Sequence, residues 1–539
     1  MSKTEKKTLI TIIIIGLIYL FLFYFPNSIG SDDPQMIAVF EPDESAQLSP
    51  ILNMIERSET LKKSVLRFFF YNYYFYGFPF FAYSAILILP LRLLGESSNF
   101  PLIMTILRQA VSVLPMTIAL ILLVYSQTKF KSRLNSLLLF VFLLFLPGVV
   151  FNNLWWHPDS LSFLFIAATF FFLVKDDNKL SSDFYLAALF SGFATGTKWI
   201  GMFFFLTIPI YIIWSTIIKK KNIKKAVISA ILFVAIMVSG IIISNPILVF
   251  ANARTEYLKV FQWQRNVLST GYEVFYDQGI SHILKITAQY FGKIWFIVIL
   301  LFGSIWGIVK DKRRLMNVLI ISFSIPYFIY QTIFVANKIQ YLLPPMIPLI
   351  SSVINIFDLI SEFWQTKTSK FIAWKKIIAV SLGAILIVQF ALYIIKDVNI
   401  YTGKLDRVNA SLSLEFYETF EKLVVPNLPE DKIFRIYKDV RLYLPDSDHW
   451  KSFSKYETLD LAYFNEHGPD LILLMQQRIY DYTQDSALEN AIDPEQMLRS
   501  QEFYNDAHNE DFDGYTLIFR DPFGLAYIKN SLYEEYFEN

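Results

Sequence analysis

The segment FNNLWWHPDSLSF (residues 151–163) separates two long apolar runs of the sequence. Pro158 makes this segment a rigid corner, so His157 and Asp159 are held in place between the two runs. Two interpretations stay open. Either Asp159 or Ser160 caps the following helix and the two tryptophans lie at a membrane interface, or His157 and Asp159 belong to a functional site.

The composition indicates a membrane protein. The chain has 539 residues, of which 54% are hydrophobic and 17% are aromatic, and a soluble domain of that length could not bury so much apolar surface. The formal net charge is +1, and no basic stripe of the kind that binds nucleic acid is present, so nucleic acid is not expected as a partner. Because the chain has no Cys, disulfides, zinc-thiolate sites and thiol nucleophiles are excluded.

Apolar runs near the length of about 20 residues that a helix needs to cross a bilayer predict an α-helical polytopic membrane protein with about eleven transmembrane helices. The first run follows a lysine-rich N-terminus and has no small-residue cleavage site after it, so we expect it to be a retained transmembrane helix. The predicted spans are 8–25, 101–126, 135–151, 160–174, 184–197, 199–218, 226–243, 291–309, 315–335, 339–360 and 377–396.

The positive-inside rule gives the expected orientation. The basic clusters at 129–133, 219–225 and 310–314 all fall on the side of the N-terminus if the proline-interrupted segment 78–94 lies along the outer interface instead of crossing. We therefore expect a cytoplasmic N-terminus in a cell membrane, either plasma or inner. The regions expected outside are the loop 26–100 with its interfacial helices, the short loop around FNNLWWHPD, the loop 244–290, and the chain after residue 396.

The last part of the chain has a different pattern, in which candidate strands alternate with polar, helix-compatible stretches such as NAIDPEQMLRSQEFY (490–504). The candidate strands are KIFRIY (432–437), PDLILLM (469–475) and GYTLIFRD (514–521). We predict a transmembrane domain at 1–396 and a small soluble extracytoplasmic α/β domain at 397–539.

Polar residues that the predicted topology places outside form several candidate constellations. Asp43 and Glu44 open an amphipathic helix just after the first span, where Asp43 could cap the helix and Glu44 could complement its dipole. Lys198 lies at the turn TGTKW, where it could extend to lipid headgroups or bind a phosphate. Because all of them face one side of the membrane, we expect acids and phosphate-binding cations to converge there.

Two further outer segments carry candidates. The loop 244–290 contains Arg265, Asp277 and His282 among many aromatic residues, and a solvated amphipathic loop is the alternative explanation. The segment NKIQYLLPPMIPLI begins with Lys338 and includes Tyr341, which could equally anchor a span at the interface. We expect these side chains to contact a substrate or its phosphate.

The order of these features resembles the GT-C superfamily of integral-membrane glycosyltransferases. Within this superfamily, the sequence resembles the branch of protein O-mannosyltransferases, aminoarabinose transferases and RgtA/B/C/D-like enzymes. The features that carry the resemblance are a retained first helix, an outer loop that begins with the acidic pair of PDES, a second acidic site in HPDSL and a C-terminal outer domain. The resemblance covers about residues 8–360 and rests on short motifs. It implies the GT-C fold and the use of polyprenyl-phosphate-linked sugars.

The resemblance also implies roles for the acidic residues. Asp43 matches the leading catalytic carboxylate of the family, with Glu44 as its neighbour, and Asp159 matches a second catalytic acid, with His157 beside it. Arg108 matches an arginine that often begins the span LRQAVSVLPMTIALILLVY.

For the lipid phosphate, SGFATGTKWIG is similar to a family corner whose lysine contacts that group, so Lys198 takes this role. The family often has an Arg-Tyr-Leu-x-P sequence late in the membrane part, but in this sequence Gln340 takes the place of the arginine before YLLPP. Lys338 is the alternative cation near Tyr341. Arg265 and His282 are further candidates for substrate or phosphate contacts.

A divalent metal ion is left open as a cofactor. Asp43, Glu44, His157 and Asp159 are residue types that bind such ions, but neither their number nor their spacing is diagnostic. No cofactor is therefore assigned.

The function implied is a hexosyl or pentosyl transferase of inverting mechanism. It would move a sugar from a polyprenyl-phosphate donor to a lipid, glycan or protein acceptor on the outer face of the membrane. One alternative is a transporter or flippase of lipid-linked saccharides, which should show discontinuous helices in related halves and ionisable residues at mid-bilayer. Another is a non-catalytic membrane scaffold in which the acidic pair only caps a helix.

Overall fold

The computed structural model describes the whole chain except residues 219, 221, 271–273, 275–278, 366–371, 456–457, 490, 492 and 539. Asp277, a candidate from the sequence, is therefore outside the described residues. The described part consists of a helical membrane region followed by a domain that contains a β-sheet.

The α-helices of the membrane region follow one another with short connections. In chain order they are α1 (Lys3–Leu22), α2 (Pro34–Phe40), α3 (Pro42–Met54), α4 (Leu61–Phe69), α5 (Phe78–Leu93), α6 (Phe100–Leu107), α7 (Leu114–Thr128), α8 (Arg133–Leu144), α9 (Pro147–Asn152), α10 (Asp159–Asp176), α11 (Ser182–Thr197), α12 (Phe204–Ile218), α13 (Ile223–Ile243), α14 (Ala251–Thr270), α15 (Gly279–Tyr290), α16 (Ile294–Val309), α17 (Arg314–Phe334), α18 (Leu343–Ser351), α19 (Val353–Gln365) and α20 (Ile372–Asp406). A π-helical turn, Arg108–Val113, joins α6 to α7, and 3₁₀ turns lie at Pro26–Ser28, Trp199–Phe203, Pro246–Val249 and Ile339–Leu342.

Several of these helices are long and apolar enough to span a bilayer. Within the described residues there are six, or seven if α15 and α16, which meet at 85°, form one bent span. Large apolar side chains such as Ile231 on α13 (62% exposed) and Ile387 on α20 (72% exposed) point away from the protein, as expected where lipid covers the surface. The prediction of an integral membrane protein is confirmed, and the count of eleven spans stays a prediction. The six are Phe100–Thr128, Trp199–Ile218, Ile223–Ile243, Arg314–Phe334, Ile339–Gln365 and Ala373–Asp406.

Two glycines fix the corner that carries Lys198. The backbone N–H of Gly77 donates to the carbonyl of Thr197 at 3.0 Å, and a Cβ at Gly77 would lie 1.6 Å from the carbonyl oxygen of Gly196. Asn245 Nδ2 donates to that same oxygen at 2.8 Å. Since α11 ends at Thr197, as the sequence predicts, these close contacts hold Lys198 at the junction of three segments.

The C-terminal part folds around a five-stranded sheet of order β2-β1-β3-β5-β4, in which β2, β1 and β3 are parallel and β5 is antiparallel to β3 and β4. Its elements are α21 (Leu412–Leu423), β1 (Phe434–Lys438), β2 (Trp450–Phe453), α22 (Leu461–His467), β3 (Leu471–Met475), α23 (Gln476–Thr483), α24 (Asp485–Glu489), α25 (Pro494–His508), β4 (Tyr515–Arg520), β5 (Gly524–Lys529) and α26 (Asn530–Tyr536). Helices pack on both faces of the sheet, with α22, α23 and α25 on one face and α21 and α26 on the other. The predicted α/β fold class is confirmed.

The boundary at 396/397 falls inside α20, which continues without a break to Asp406. The C-terminal domain then contacts the start of α2. The hydroxyl of Tyr443 donates to Asp33 Oδ2 at 2.8 Å, and Gln35 Nε2 donates to Asp446 Oδ1 at 3.1 Å. These contacts place the carboxyl ends of β1 and β3 near the start of α3.

Candidate active site

A cavity of about 2710 Å³ lies between the membrane region and the C-terminal domain. Its walls come from the segment between α2 and α5, the corner after α11, the helices α14 and α15, the segment before α18, the loop after β1, and the helix α23 that follows β3. Most of the candidate residues of the sequence either line this cavity or lie directly behind its wall.

Asp43 is the carboxylate at the start of α3 that faces the cavity. It lies in the first turn of the helix, one residue after Pro42, and it is partly exposed. Among the described residues it makes no hydrogen bond or ion pair with a protein group, and the helix cap position is taken by Glu41. Its carboxylate is thus available to a bound molecule.

Glu44, expected as a catalytic carboxylate beside Asp43, is turned away from the cavity. Both of its oxygens accept from the guanidinium of Arg108, at 3.0 Å from Nε and 2.5 Å from Nη2, and neither side chain is exposed. Glu44 Oε1 also accepts from the backbone N–H of Trp156 at 2.5 Å. A carboxylate so fully paired orients its surroundings, so the geometry assigns Glu44 a positioning role.

Arg108 connects this pair to the residues that follow α1. Its Nη1 donates to the carbonyl oxygens of Asn27 at 2.7 Å and Ile29 at 3.3 Å. Through Arg108, Glu44 and Trp156, the start of α3 is tied to α6 and to the HPD corner. The π-helical turn begins at Arg108 itself, as often occurs at functional positions.

Asp159 is buried behind the cavity wall, where its carboxylate pairs with both His157 and Lys198. One oxygen pairs with Nδ1 of His157 and the other with Nζ of Lys198. His157 Nε2 in turn lies 2.7 Å from the hydroxyl of Tyr76, and the Trp155 ring stacks on the imidazole at 4.2 Å between centroids. Burial lowers the pKa of His157, although the carboxylate of Asp159 opposes this shift.

Lys198 and Lys338 are the cations that face Asp43 across the cavity. The ammonium of Lys198 lies 4.9 Å from the centroid of the Tyr341 ring. Burial lowers the pKa of Lys338, and the positive charges of Lys198 and Arg441 add to this effect, while the negative charge of Asp43 opposes it. Lys338 thus lies within electrostatic range of both Lys198 and Asp43.

The candidates of the loop 244–290 occupy another wall. Arg265 projects from α14, exposed, into the cavity. His282 on α15 also lines it, and its Nε2 lies 3.2 Å from the carbonyl oxygen of Asn337, next to Lys338. Gln340 lines the cavity as well, in the position that the family sequence gives to arginine.

Several cavity residues were not predicted from the sequence. Glu41 lines the wall and pairs with Lys404 at 3.2 Å and Arg407 at 2.7 Å, and Arg441 and Arg478 come from the C-terminal domain. None of them belongs to a motif, and the partners of Glu41 lie more than 300 residues away in the sequence. Only the excess of charge beside PDES pointed toward Glu41.

The four metal-ligand candidates do not form a ligand set. Glu44 is paired with Arg108, and both oxygens of Asp159 are taken by His157 and Lys198. In the part of the chain that the structure describes, no three His, Asp or Glu side chains are grouped so as to hold a metal ion. We therefore derive no chemical step through a metal.

The sequence matches no protein-family model and no curated protein. The fold, in contrast, is similar to solved structures. ArnT from Cupriavidus metallidurans bound to undecaprenyl phosphate superposes with a TM-score of 0.54 at 10% identity, over 96% of this chain and 97% of that one. The archaeal oligosaccharyltransferase AglB from Archaeoglobus fulgidus, in complex with an inhibitory peptide and a dolichol-phosphate, gives a TM-score of 0.53 at 11% identity, over 92% of this chain and 72% of that one. This chain therefore has the GT-C fold of integral-membrane glycosyltransferases.

Proposed function

We propose that this protein is an inverting glycosyltransferase. It transfers a sugar from a polyprenyl-phosphate donor to a lipid, glycan or protein acceptor on the outer face of the membrane. The observation that carries the proposal is that Asp43, a carboxylate with no hydrogen-bond or ion-pair partner among the described residues, lines the same cavity as Lys198 and Lys338. A base and a phosphate-binding pair of cations are the two parts that this reaction needs.

Asp43 acts as the general base in this scheme. The acceptor hydroxyl attacks the anomeric carbon on the face opposite to the phosphate, and its proton passes to the carboxylate of Asp43. The bond between the anomeric carbon and the phosphate oxygen breaks, and its electron pair leaves with the lipid phosphate. One displacement of this kind inverts the anomeric configuration.

Lys198 and Lys338 stabilise the departing phosphate. The phosphate gains negative charge as the bond breaks, and a cation already in place stabilises that charge without reorganisation. Asp159 holds Lys198, and His157 together with Tyr76 holds Asp159. Asp159 and His157 are thus positioning residues, because neither reaches the cavity.

The shared fold supports the choice of donor. One of the similar structures holds undecaprenyl phosphate and the other a dolichol-phosphate, both polyprenyl-phosphate lipids. For this chain we infer the same class of lipid, with the prenyl tail leaving the cavity between exposed apolar side chains such as Phe205 and Ile333.

The orientation is part of the proposal. The N-terminus is cytoplasmic, in the cell membrane, and the C-terminal domain is extracytoplasmic. This placement puts the cavity at the outer face, and it follows from the basic clusters of the sequence.

The experiment is to incubate the purified full chain with radiolabelled polyprenyl-phosphate sugars and candidate acceptors. Wild type should consume at least one donor, and Asp43→Asn should not. Asp32→Asn is the matched control, because Asp32 is an exposed acid of the same outer loop. If wild type consumes no donor, or moves intact donors across vesicle membranes instead, the enzyme assignment fails and a flippase is the better description.

A further inference from the structure

The carboxyl ends of the parallel strands open into the same cavity as Asp43. Strand β1 lies between β2 and β3, so its two neighbours are reached by connections that run in opposite directions. In open α/β sheets, ligands bind in the crevice outside such a switch point. Here the loop after β1 contributes Arg441, and the helix α23, which directly follows β3, contributes Arg478 to the cavity wall.

Asp439 fixes the position of Arg478. Asp439 directly follows β1 and is fully buried. Its Oδ2 accepts from the backbone N–H of Met475 at 2.7 Å, and its Oδ1 accepts from the hydroxyl of Tyr437 at 3.2 Å. Nη1 of Arg478 lies 3.5 Å from the same Oδ1. A buried carboxylate held on several sides thus aligns a guanidinium that reaches the cavity.

Two further contacts restrict the Arg478 side chain. Its Nη1 donates to the carbonyl oxygen of Lys455 at 3.4 Å, and its guanidinium carbon lies 5.3 Å from the centroid of the Tyr482 ring. Only 10% of the side chain is exposed. A planar guanidinium that is already ordered loses little entropy when it binds a phosphate or a carboxylate in a bidentate manner.

Arg441 supplies a second charge between Arg478 and the lysines. It is exposed at the cavity wall, and its charge contributes to the lowered pKa of Lys338. The acids that line this part of the cavity already have protein partners. Glu41 is paired with Lys404 and Arg407, Asp439 with Arg478, Asp481 accepts from Gln477 Nε2, and Asp493 caps α25. Arg441 and Arg478 thus offer guanidinium groups at a wall of the cavity other than the one at Lys198, where the donor phosphate is placed.

We propose that Arg478 and Arg441, with Asp439 behind them, form an acceptor subsite that binds a phosphate or carboxylate group. We call this the arginine crevice. The inference rests on the proposed function in one respect, since it takes the bound molecule to be the acceptor. The acceptor is then an acidic molecule, with its hydroxyl toward Asp43 and its negative charge toward the C-terminal domain.

The test is a calorimetric titration of the full chain in detergent at fixed ionic strength, with glucose 6-phosphate, glucuronate and glucose as probes. At least one anionic probe should bind roughly tenfold or more tightly than glucose, the size expected for a charge-assisted bond. The comparison of the two anionic probes separates phosphate from carboxylate. Binding does not need turnover, so a protein without transferase activity would contradict the proposed function and leave this result standing.

Variants locate the site. Arg478→Gln should lose the preference for the anionic probe, and Arg478→Lys should retain part of it, because the charge stays while the planar fork is lost. Arg499→Gln is the matched control, since Arg499 lies on α25 of the same domain, half-exposed, with a 3.7 Å pair to Asp460. Lys198→Met should keep the preference.

The proposal is overturned if glucose binds as tightly as both anionic probes, or if Arg478→Gln binds them like wild type. It is also overturned if Lys198→Met abolishes the preference while Arg478→Gln keeps it, because the anion then lies at the lysines. Thermal unfolding of each variant shows whether a loss comes from misfolding, and Arg478→Lys provides the readout if Arg478→Gln does not fold.

Discussion

Glu44 and Arg108 form an ion pair in which neither side chain is exposed, with 2.5 Å between Oε2 and Nη2. Glu44 is the immediate neighbour of Asp43, and it also accepts from the backbone N–H of Trp156, next to His157. The pair therefore sets the position of the proposed base relative to the corner that holds Lys198. Several expected outcomes depend on this arrangement.

Arg108→Met should strongly destabilise the protein, because it leaves the carboxylate of Glu44 buried without its partner. Loss of one member of a buried pair costs about 3–5 kcal/mol. Thermal unfolding in detergent measures the effect. The double variant Glu44→Leu/Arg108→Met should recover part of the loss, since it removes both charges.

The matched control is Arg67→Met, which breaks the exposed Arg67–Glu56 pair on α4. An exposed pair contributes at most about 1 kcal/mol, so this variant should melt close to wild type. If Arg67→Met and Arg108→Met lower the unfolding temperature equally, the structural role given to the buried pair is refuted.

Asp159→Asn should weaken donor binding through Lys198. Without the carboxylate, the ammonium is no longer held against the cavity wall, and we expect the donor KM to rise by roughly tenfold or more, the size of a charge-assisted hydrogen bond. The value of kcat should fall as well, because Lys198 also stabilises the charge that develops on the departing phosphate. Steady-state kinetics on the donor identified above give both constants.

The double variant Asp159→Asn/Lys198→Met separates a positioning role from a direct one. If Asp159 acts through Lys198, the double variant should resemble Lys198→Met alone. If the losses in donor binding caused by the two single substitutions add in the double variant, Asp159 contacts the substrate itself, which the structure contradicts.

Glu41 should make stability depend on pH in the acid range. Burial acts to raise the pKa of Glu41, but the positive charges of Lys404, Arg407 and Arg108 outweigh it, and the pKa is lowered overall. The stabilisation is then fully present above the pKa of the unfolded carboxyl, about 4.3, and it is lost as the pH falls through the lower folded-state pKa.

We expect the difference in unfolding temperature between wild type and Glu41→Gln to be constant from about pH 7 to about pH 5 and to shrink below about pH 4. Unfolding scans at these pH values check the expectation. A difference that grows on acidification would mean that the carboxyl is protonated more easily in the folded state, the reverse of the inferred shift.

The orientation can be read by labelling, because the natural chain has no Cys. Lys62→Cys on α4 and Asp448→Cys in the C-terminal domain are exposed positions and should react with an impermeant maleimide on intact cells. Lys220→Cys, in the basic cluster after α12, should react only after permeabilisation. If Lys220→Cys is labelled on intact cells, the proposed orientation is contradicted and the opposite one is indicated.

The sequence predicted the elements that local patterns specify. Short apolar runs between polar stretches marked three of the strands, which the structure has as Phe434–Lys438, Leu471–Met475 and Tyr515–Arg520. The polar stretch at 490–504 contains most of the helix Pro494–His508. The charged Lys198 correctly indicated a break after α11, because a lysine inside a span is costly.

Pairings between distant residues could not be predicted. Glu44 and Asp43 are adjacent and equally acidic in the sequence, and only the partner Arg108, 64 residues away, decides that one is buried and the other faces the cavity. In the same way, nothing in the sequence around Asp439 and Arg478 shows that two strand ends bring them together. Packing of separate elements carries this information, and no local pattern contains it.

The most direct test of the central claim is the rate at which polyprenyl phosphate is released from its sugar-linked form in a single turnover, with enzyme in excess. Loss of a general base typically lowers such a rate by about 10²–10⁴-fold. The account predicts a loss of that size for Asp43→Asn, with Asp32→Asn releasing polyprenyl phosphate like wild type. If Asp43→Asn instead releases polyprenyl phosphate at the wild-type rate, Asp43 is not the base, and the proposed mechanism is contradicted.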